Sequence, residues 1–358
     1  LDGAEIHFKT AQDVELQFPF DSRNNIPYML ATDDVNEAGL TAQQVLNLSR
    51  MTDTEIRGTC QNILDDFNLN LTASQKEMML WHQRLCHIGQ GWVQELMKTT
   101  VASTGDRDDP VLPTKHKAAN CPRTKCASCL MAKQHVRTPD TATTHVNREM
   151  EGAIRRATQK PDTFSMDQIV CKLPGRLPHT FGREATTLQY HGATIYVSHS
   201  SSWIFLANQV SLNSGETLEG KRRLDQAAAE LGRKIKHFHT DNHPFGSQEF
   251  QEDLALNDQT VTFSGVGAHH QNGVSENAVK LVTHMARSMM MHQLIHWPDE
   301  FDPSLWPFAL QHAVHIWNHT PNTSTGLSPW ERFSGIKDPT YSTTRRARVW
   351  GCLSLIHI

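Results

Sequence analysis

His82 and His87 are separated by four residues, Cys126 and Cys129 by two, and 38 residues lie between the pairs. Imidazole nitrogens and thiolate sulfurs are ligands that zinc takes at tetrahedral angles, and a two-residue gap lets both thiolates reach one ion from a tight turn. The spacing predicts a closed two-histidine, two-cysteine site that serves folding rather than catalysis. Two features compete with this reading. Cys121 lies five residues before Cys126 and is a rival ligand, and in a chain with 21 histidines the pair can be ordinary surface residues and the thiols simply buried.

Three acids stand out by position. Asp167 lies inside the strand-like run FSMDQIV, where an uncompensated charge among apolar neighbours is costly. Asp241 closes KIKHFHTDN, and Glu276 opens the helical run in HHQNGVSENAVK. Three carboxylates brought together repel one another unless divalent cations hold them. Two such ions about 4 Å apart are the machinery of in-line phosphoryl transfer, one activating the attacking oxygen and the other stabilising the leaving oxygen. Taken singly, Asp241 also reads as a turn residue and Glu276 as a first-turn acid favoured by the helix dipole. Gly265, Gly267 and Gly273 in the interval predict a mobile loop beside the site.

The elements that must position these groups follow from periodicity. Thr163 to Val170 reads as a strand, and His191 to Val210 as a strand hairpin turning at Ser200 to Ser202. Thr217 to Arg233 reads as a helix with Leu218, Leu224, Ala228 and Leu231 inward, and Lys234 to Thr240 and Thr260 to Val266 as strands around a short helix from Ser247 to Leu256. A long helix from Ser275 to about Gln293 follows. Hairpin-joined strands followed by helix-linked strands give a mixed α/β sheet with helices on it.

Composition bounds the rest. The chain has 358 residues, enough for two or three folded units, and no run approaches the roughly 18 apolar residues of a membrane helix. Seven cysteines, three of them within nine residues, do not make a disulfide framework and fit a reducing compartment and a metal. Residues 1–75 carry 12 acidic and 4 basic side chains, a balance of −8, so the remainder, with 30 basic and 26 acidic, stands at +4. The acidity belongs to an N-terminal arm that reads as weakly structured, with a helical stretch at Thr41 to Asn47. The mildly basic remainder permits a polyanionic partner. The chain opens at Leu1 with no secretory signal, which reads as a fragment or processed piece.

These motifs resemble, in order, those of the integrase of copia-type long-terminal-repeat retrotransposons. WHQRLCHIG and CASCLMAKQHVRTP resemble the ends of its pre-integrase zinc domain, HTDNHPFGSQEF and HHQNGVSENAVK its second and third catalytic motifs, and TGLSPWERFSGIKD to RRARVWGC the close of its core. The resemblance implies an RNase H-like fold behind a small helical zinc domain, and a metal-dependent polynucleotidyl transferase joining element DNA 3′ ends to target DNA. It implies a catalytic triad at Asp167, Asp241 and Glu276 holding Mg²⁺ or Mn²⁺, and a structural Zn²⁺ on His82, His87, Cys126 and Cys129. DNA contacts fall at Lys280, Asn272 and Gly273. Double-stranded DNA is the partner, with a homo-oligomer expected, no membrane, and work divided between a cytoplasmic virus-like particle and the nucleus.

The implied organisation is an arm at 1–74, a zinc domain at 75–139, a linker at 140–161, a catalytic core at 162–337 and a closing segment at 338–358. Three departures stand out: Asn277 replaces the arginine usual after the glutamate, Asp-Asn-His-Pro replaces Asp-Asn-Gly-Gly, and Cys86 stands where glycine is common. The final LSLIHI reads like translated adapter sequence. A zinc-containing DNA-binding remnant without catalysis stays the alternative, with Glu249 a substitute third acid.

Other signals read as packing. Met285, Met289, Met290 and Met291 suggest a core face or dimer seam. Trp297, Trp306 and Trp317 suggest the core of a second helix, and Arg345, Arg346 and Arg348 either touch phosphates or face solvent.

Overall fold

The computed structural model describes residues 71–101, 109–133, 162–179, 185–241, 245–264, 272–323, 325–338 and 340–352, with three short strands nearer the N-terminus. Those strands, β1 (Glu5–Lys9), β2 (Glu15–Asp21) and β3 (Ile26–Pro27), pair antiparallel in chain order, where the sequence suggests a weakly structured arm. The helical reading at 41–47, the linker, the glycines at 265 and 267, and the final six residues lie outside the described residues.

A small unit comes first. Helix α1 (Ala73–Arg84) starts in a capping box, with the Thr72 side chain accepting from the Gln75 amide and the Gln75 side chain from that of Thr72. Helix α2 (Gln90–Lys98), the short ribbon β4 (Thr100–Val101) with β5 (Asp109–Pro110), and helix α3 (Ala127–Ala132) complete it.

The second unit is built on β6 (Thr163–Gly175), β7 (Tyr190–Ser198), β8 (Ile204–Gln209), β9 (His237–Thr240) and β10 (Thr260–Phe263), in the order β10-β9-β6-β7-β8. Strands β6, β7 and β8 pair antiparallel in chain order. Parallel pairing of β9 with β6 and of β10 with β9 requires crossovers, supplied by α4 (Ser214–Glu230) and α5 (Gln248–Leu256). This mixed α/β arrangement is the RNase H-like strand order that the resemblance implies. Strand β6 runs five residues past Val170, with a register shift between Val170 and Gly175.

Helix α6 (Gly273–His296) extends the expected long helix at both ends, and α7 (Trp306–His319), α8 (Pro329–Ser334) and α9 (Ser342–Arg346) follow. Trp306 and Trp317 lie in α7, but Trp297 does not. It ends α6, because Pro298 opens a separate 3-10 turn directly after it. No helix among the described residues is long and apolar enough to cross a membrane.

Alternation along the strands divides the core. Phe164, Met166, Tyr196 and Phe238 face one side and pack under α4 and α5 with Leu218, Leu224, Phe250 and Leu254. Ile169, Ala193, Ile195 and Leu206 face the other, against Val282, Met285 and Met289 of α6 and Ala309 and Leu310 of α7. The second cluster continues into the small unit through Trp81, Leu85, Val93 and Leu96, so the two units share one apolar core. Trp92 Nε1 donates to the Pro321 carbonyl at 3.0 Å, and Arg345 donates to the carbonyls of Val111 and Pro110 at 3.0 and 2.7 Å. Arg345 is thus a clamp between units rather than a solvated cation.

One charge is fully inside. The Lys221 ammonium on α4 is 0% exposed, 2.6 Å from Asp253 and 2.8 Å from Asp225, while Arg222 reaches Asp253 at 2.9 Å. Burial works to raise the Asp253 pKa, but the hydrogen bonds from Lys221 and Arg222 outweigh it and hold the carboxyl below its usual value. A folded pKa below the unfolded one gives a contribution present at neutral pH and lost as pH falls below about 4. Asp253→Ala strands a buried cation with half of its counter-charge, so denaturant titration at pH 7 should show a loss of about 3 kcal/mol. The variant should also lose less stability than wild type between neutral pH and the acid range.

Candidate functional site

Beyond the end of α1 the chain turns through Cys86 and His87, with φ of 53° and 58°. Left-handed values are uncommon without glycine and mark a turn held by its surroundings. At Cys86, where the resembled family has glycine, the strain is carried by a thiol side chain 0% exposed in the apolar core. The turn folds His87 back so that its amide donates to the His82 carbonyl at 2.8 Å. Cys126, the N-cap of α3, and Cys129, in its first turn, approach from the other side.

The ligand atoms of His82, His87, Cys126 and Cys129 all lie within 4.8 Å of one another. His82 Nε2 is 3.3 Å from Cys129 Sγ, and His87 Nδ1 is 3.4 Å from Cys126 Sγ, 3.6 Å from Cys129 Sγ and 3.2 Å from His82 Nε2. Ligands on a tetrahedral zinc, with bonds of 2.0 to 2.3 Å, stand about 3.3 to 3.8 Å apart, so these donors fit that ion. His82 Nδ1 donates to the Ile88 carbonyl at 2.7 Å, which fixes the tautomer and leaves the Nε2 lone pair facing the thiols.

Protonation suits a cation as well. Burial lowers the His87 pKa, keeping the ring neutral. The Cys126 hydrogen bond, joined by those from His82 and His87, pulls the Cys129 thiol toward thiolate. Cys121 is not in the cluster, since its Sγ lies 3.2 Å from the Ala118 carbonyl.

The elements that carry the three acids meet where the pairing of β6 with β9 ends. The register that pairs Thr163 with His237 and Ser165 with His239 carries Asp241, just past β9, to the level of Asp167 on β6. Between these strands the Met166 carbonyl accepts from Thr240 Oγ1 at 3.2 Å and from Asn272 Nδ2 at 3.0 Å. Each donor stands close to an acid, Thr240 immediately before Asp241 and Asn272 four residues before Glu276. One carbonyl therefore ties together the three elements that carry Asp167, Asp241 and Glu276.

Asp167 and Asp241 are half-buried and Glu276 is exposed in the first turn of α6. Among the described residues the His/Cys set is the group of three or more ligands lying within 4.8 Å. Asn272, which the resemblance puts against DNA, is 1% exposed and spends its amide on Met166. Gly273 opens α6, and Lys280 is exposed one turn beyond Glu276. Glu249 lies in the first turn of α5. The part of Thr240 was not read from the sequence, although its place directly before Asp241 is the signal that offers it.

No protein-family model matches the chain. The Retrovirus-related Pol polyprotein from transposon TNT 1-94 of Nicotiana tabacum is 23% identical over 292 residues, 80% of this chain and 19% of that polyprotein. The chain thus spans about a fifth of the length of this relative. Among solved structures, a simian T-cell lymphotropic virus intasome in complex with a PP2A regulatory subunit matches at 20% identity and a TM-score of 0.35, over 48% of this chain and 54% of that one. The HTLV-2 integrase catalytic core with magnesium matches at 19% and 0.33, over 48% and 97%, and the BIV integrase core at 16% and 0.34, over 49% and 94%. At such scores the fold reading rests on the strand order itself.

The shared acceptor has a measurable signature. Thr240→Val and Asn272→Ala each leave the Met166 carbonyl one of these donors and should each cost about 1 kcal/mol in urea denaturation. The double variant removes both and should cost more than the sum, because residues in one hydrogen-bond network do not add. Strict additivity would show that the two bonds act separately.

Proposed function

We propose that this chain, an integrase segment of the copia-type retrotransposon Pol polyproteins, is a metal-dependent polynucleotidyl transferase that joins the 3′-hydroxyl ends of element DNA to target DNA. The observation that carries the reading is the Met166 carbonyl, which accepts from Thr240 and Asn272 and so gathers three acid-bearing elements where the pairing of β6 with β9 ends. Neighbouring strands run about 4.8 Å apart, so carboxylates at one level on β6 and β9 can share an ion. Mg²⁺ often takes only one or two carboxylates and completes its shell with water and substrate phosphates, so an exposed Glu276 that meets it from the helix fits.

In the reaction the 3′-hydroxyl oxygen of the element strand attacks a target phosphorus. A new P–O bond forms as the opposite P–O3′ bond breaks, the hydroxyl proton passes to water, and the departing target oxygen takes one up. Bound Mg²⁺ or Mn²⁺ supplies positive charge at the attacking and leaving oxygens. Asp167, Asp241 and Glu276 hold the cations, and Lys280, exposed one turn beyond Glu276, meets a DNA phosphate. His82, His87, Cys126 and Cys129 hold one structural Zn²⁺ in this reading. All four protein positions of a tetrahedral ion are then filled, which leaves it no open site for chemistry.

Two measurements test this. Labelled duplex ends should be joined to a target in Mg²⁺ or Mn²⁺, and Glu276→Gln, Asp167→Asn and Asp241→Asn should each fold, bind DNA and lose joining by about a thousandfold or more, with little further loss when combined. A wild-type chain that binds duplex without joining it would leave the zinc-containing binding remnant in its place. Elemental analysis should find about one zinc per chain, as a four-ligand structural site requires. Stoichiometric zinc in a Cys126→Ser, Cys129→Ser double variant would contradict the ligand set.

A further inference from the structure

Helix α6 has an uneven distribution of charge. Glu276 is its one acid, and beyond it the formally charged side chains are Lys280 and Arg287. At 3.6 residues per turn, positions 276, 280 and 287 fall on one stripe, and position 287 lies about 16 Å along the axis from Glu276. The buried positions of the helix, among them Ser275, Val282, Met285 and Met289, occupy the opposite side.

Glu276 and Lys280 are exposed, whereas Arg287 is half-buried and has no ion pair or hydrogen bond among the described residues. Its neighbours one turn away on the helix, Thr283, His284, Met290 and Met291, include no acid. Burial lowers the guanidinium pKa, and nothing beside it offsets that cost. Arginine presents a planar fork of donors suited to a phosphate, and a half-buried one has already shed part of the water that an exposed lysine must lose on binding.

We propose that Arg287 is a binding site for a backbone phosphate of duplex DNA, and that with Lys280 it makes a cationic stripe leading away from Glu276 along α6. The inference rests on the integrase reading for the identity of the anion. A DNA strand that reaches the carboxylate end of the sheet and lies along this helix meets positive charge at both positions, spaced by about two turns. Phosphate contacts carry no base information, so the stripe fixes the direction of the duplex and leaves its sequence unread.

The test is equilibrium binding of duplexes of unrelated sequence across a KCl series, with the whole chain in its zinc-loaded form and no other divalent ion added. Each phosphate contact contributes about one to the slope of log K against log salt. Arg287→Gln should lower the slope by about one and weaken all duplexes by the same factor. Arg287→Lys should keep the slope, and Thr283→Lys, which adds a cation between the two, should raise it by about one. An unchanged slope in Arg287→Gln, or no gain in Thr283→Lys, overturns the proposal. So does an Arg287→Gln chain that does not fold, since the guanidinium is then a packing group. The readout is binding alone, so its failure stands apart from that of the integrase reading: joining by wild type with an unchanged Arg287→Gln slope removes only the stripe. A slope change in a wild type that cannot join removes only the enzyme.

Discussion

A single backbone carbonyl governs the geometry on which any chemistry here depends. The Met166 oxygen, one residue before Asp167, faces the gap between β6 and β9 where pairing ends, and the two side chains that fill that gap are Thr240 and Asn272. The parallel register of β6 with β9 puts position 241 level with position 167, so Asp167, within β6, and Asp241, just past β9, are neighbours by topology alone. The helix has no such guarantee. Asn272 supplies it, because a buried amide with one good acceptor sets where α6 begins and hence where Glu276 stands. This accounts for the asparagine ahead of the glutamate: its amide anchors the helix to the strand.

The same helix connects the acids to the His/Cys cluster. Its first turn carries Glu276, its middle packs on the sheet, and its last turns lie against the small unit, where His292 faces the His87 ring at 5.3 Å between centroids. Burial, with lesser contributions from neighbouring His296 and His87, pushes the His292 pKa down to about 3, so the ring that backs this ligand stays neutral and adds no charge to repel a cation. The apolar core is continuous from Trp81 to Leu310. The small unit is therefore no separate bead on the chain, and order at the cluster and order along α6 are parts of one packing problem.

Much of this was legible in the sequence because it was local. Apolar runs mark the hairpin of β7 and β8, the spacing of Leu218, Leu224, Ala228 and Leu231 marks α4, and paired ligand spacing favours Cys126 with Cys129 over Cys121. What was not legible was tertiary. The extension of β6 to Gly175 depends on a register shift against β7. Lys221 stands outside the apolar spacing of α4 and is enclosed because Asp253 arrives from α5, 32 residues on. Trp297 and Trp306 are each followed by proline, but Trp306 takes its proline in the first turn of a helix, where the missing amide costs nothing, whereas Trp297 ends one. The docking of the small unit on α6 leaves no periodic trace, since Trp92 and Arg345 find carbonyls more than 200 residues away in the chain.

The charge pattern follows from these placements. The sheet fixes the backbones of the acid-bearing elements rather than their side chains: positions 167 and 241 are held at one level, while Glu276 stays exposed on the helix. Several positive groups are spent elsewhere. Arg222 is spent on Asp253, Arg345 on the carbonyls of the small unit, and Arg176 on Asp302 at 2.6 Å. On α6, Lys280 and Arg287 stand on the same stripe as Glu276 yet about one and three turns away. A lysine or arginine directly beside the acids would neutralise them and compete with a metal for the same oxygens. Set one and three turns along the helix, these cations leave the first turn of α6 to Glu276 as its formally charged side chain.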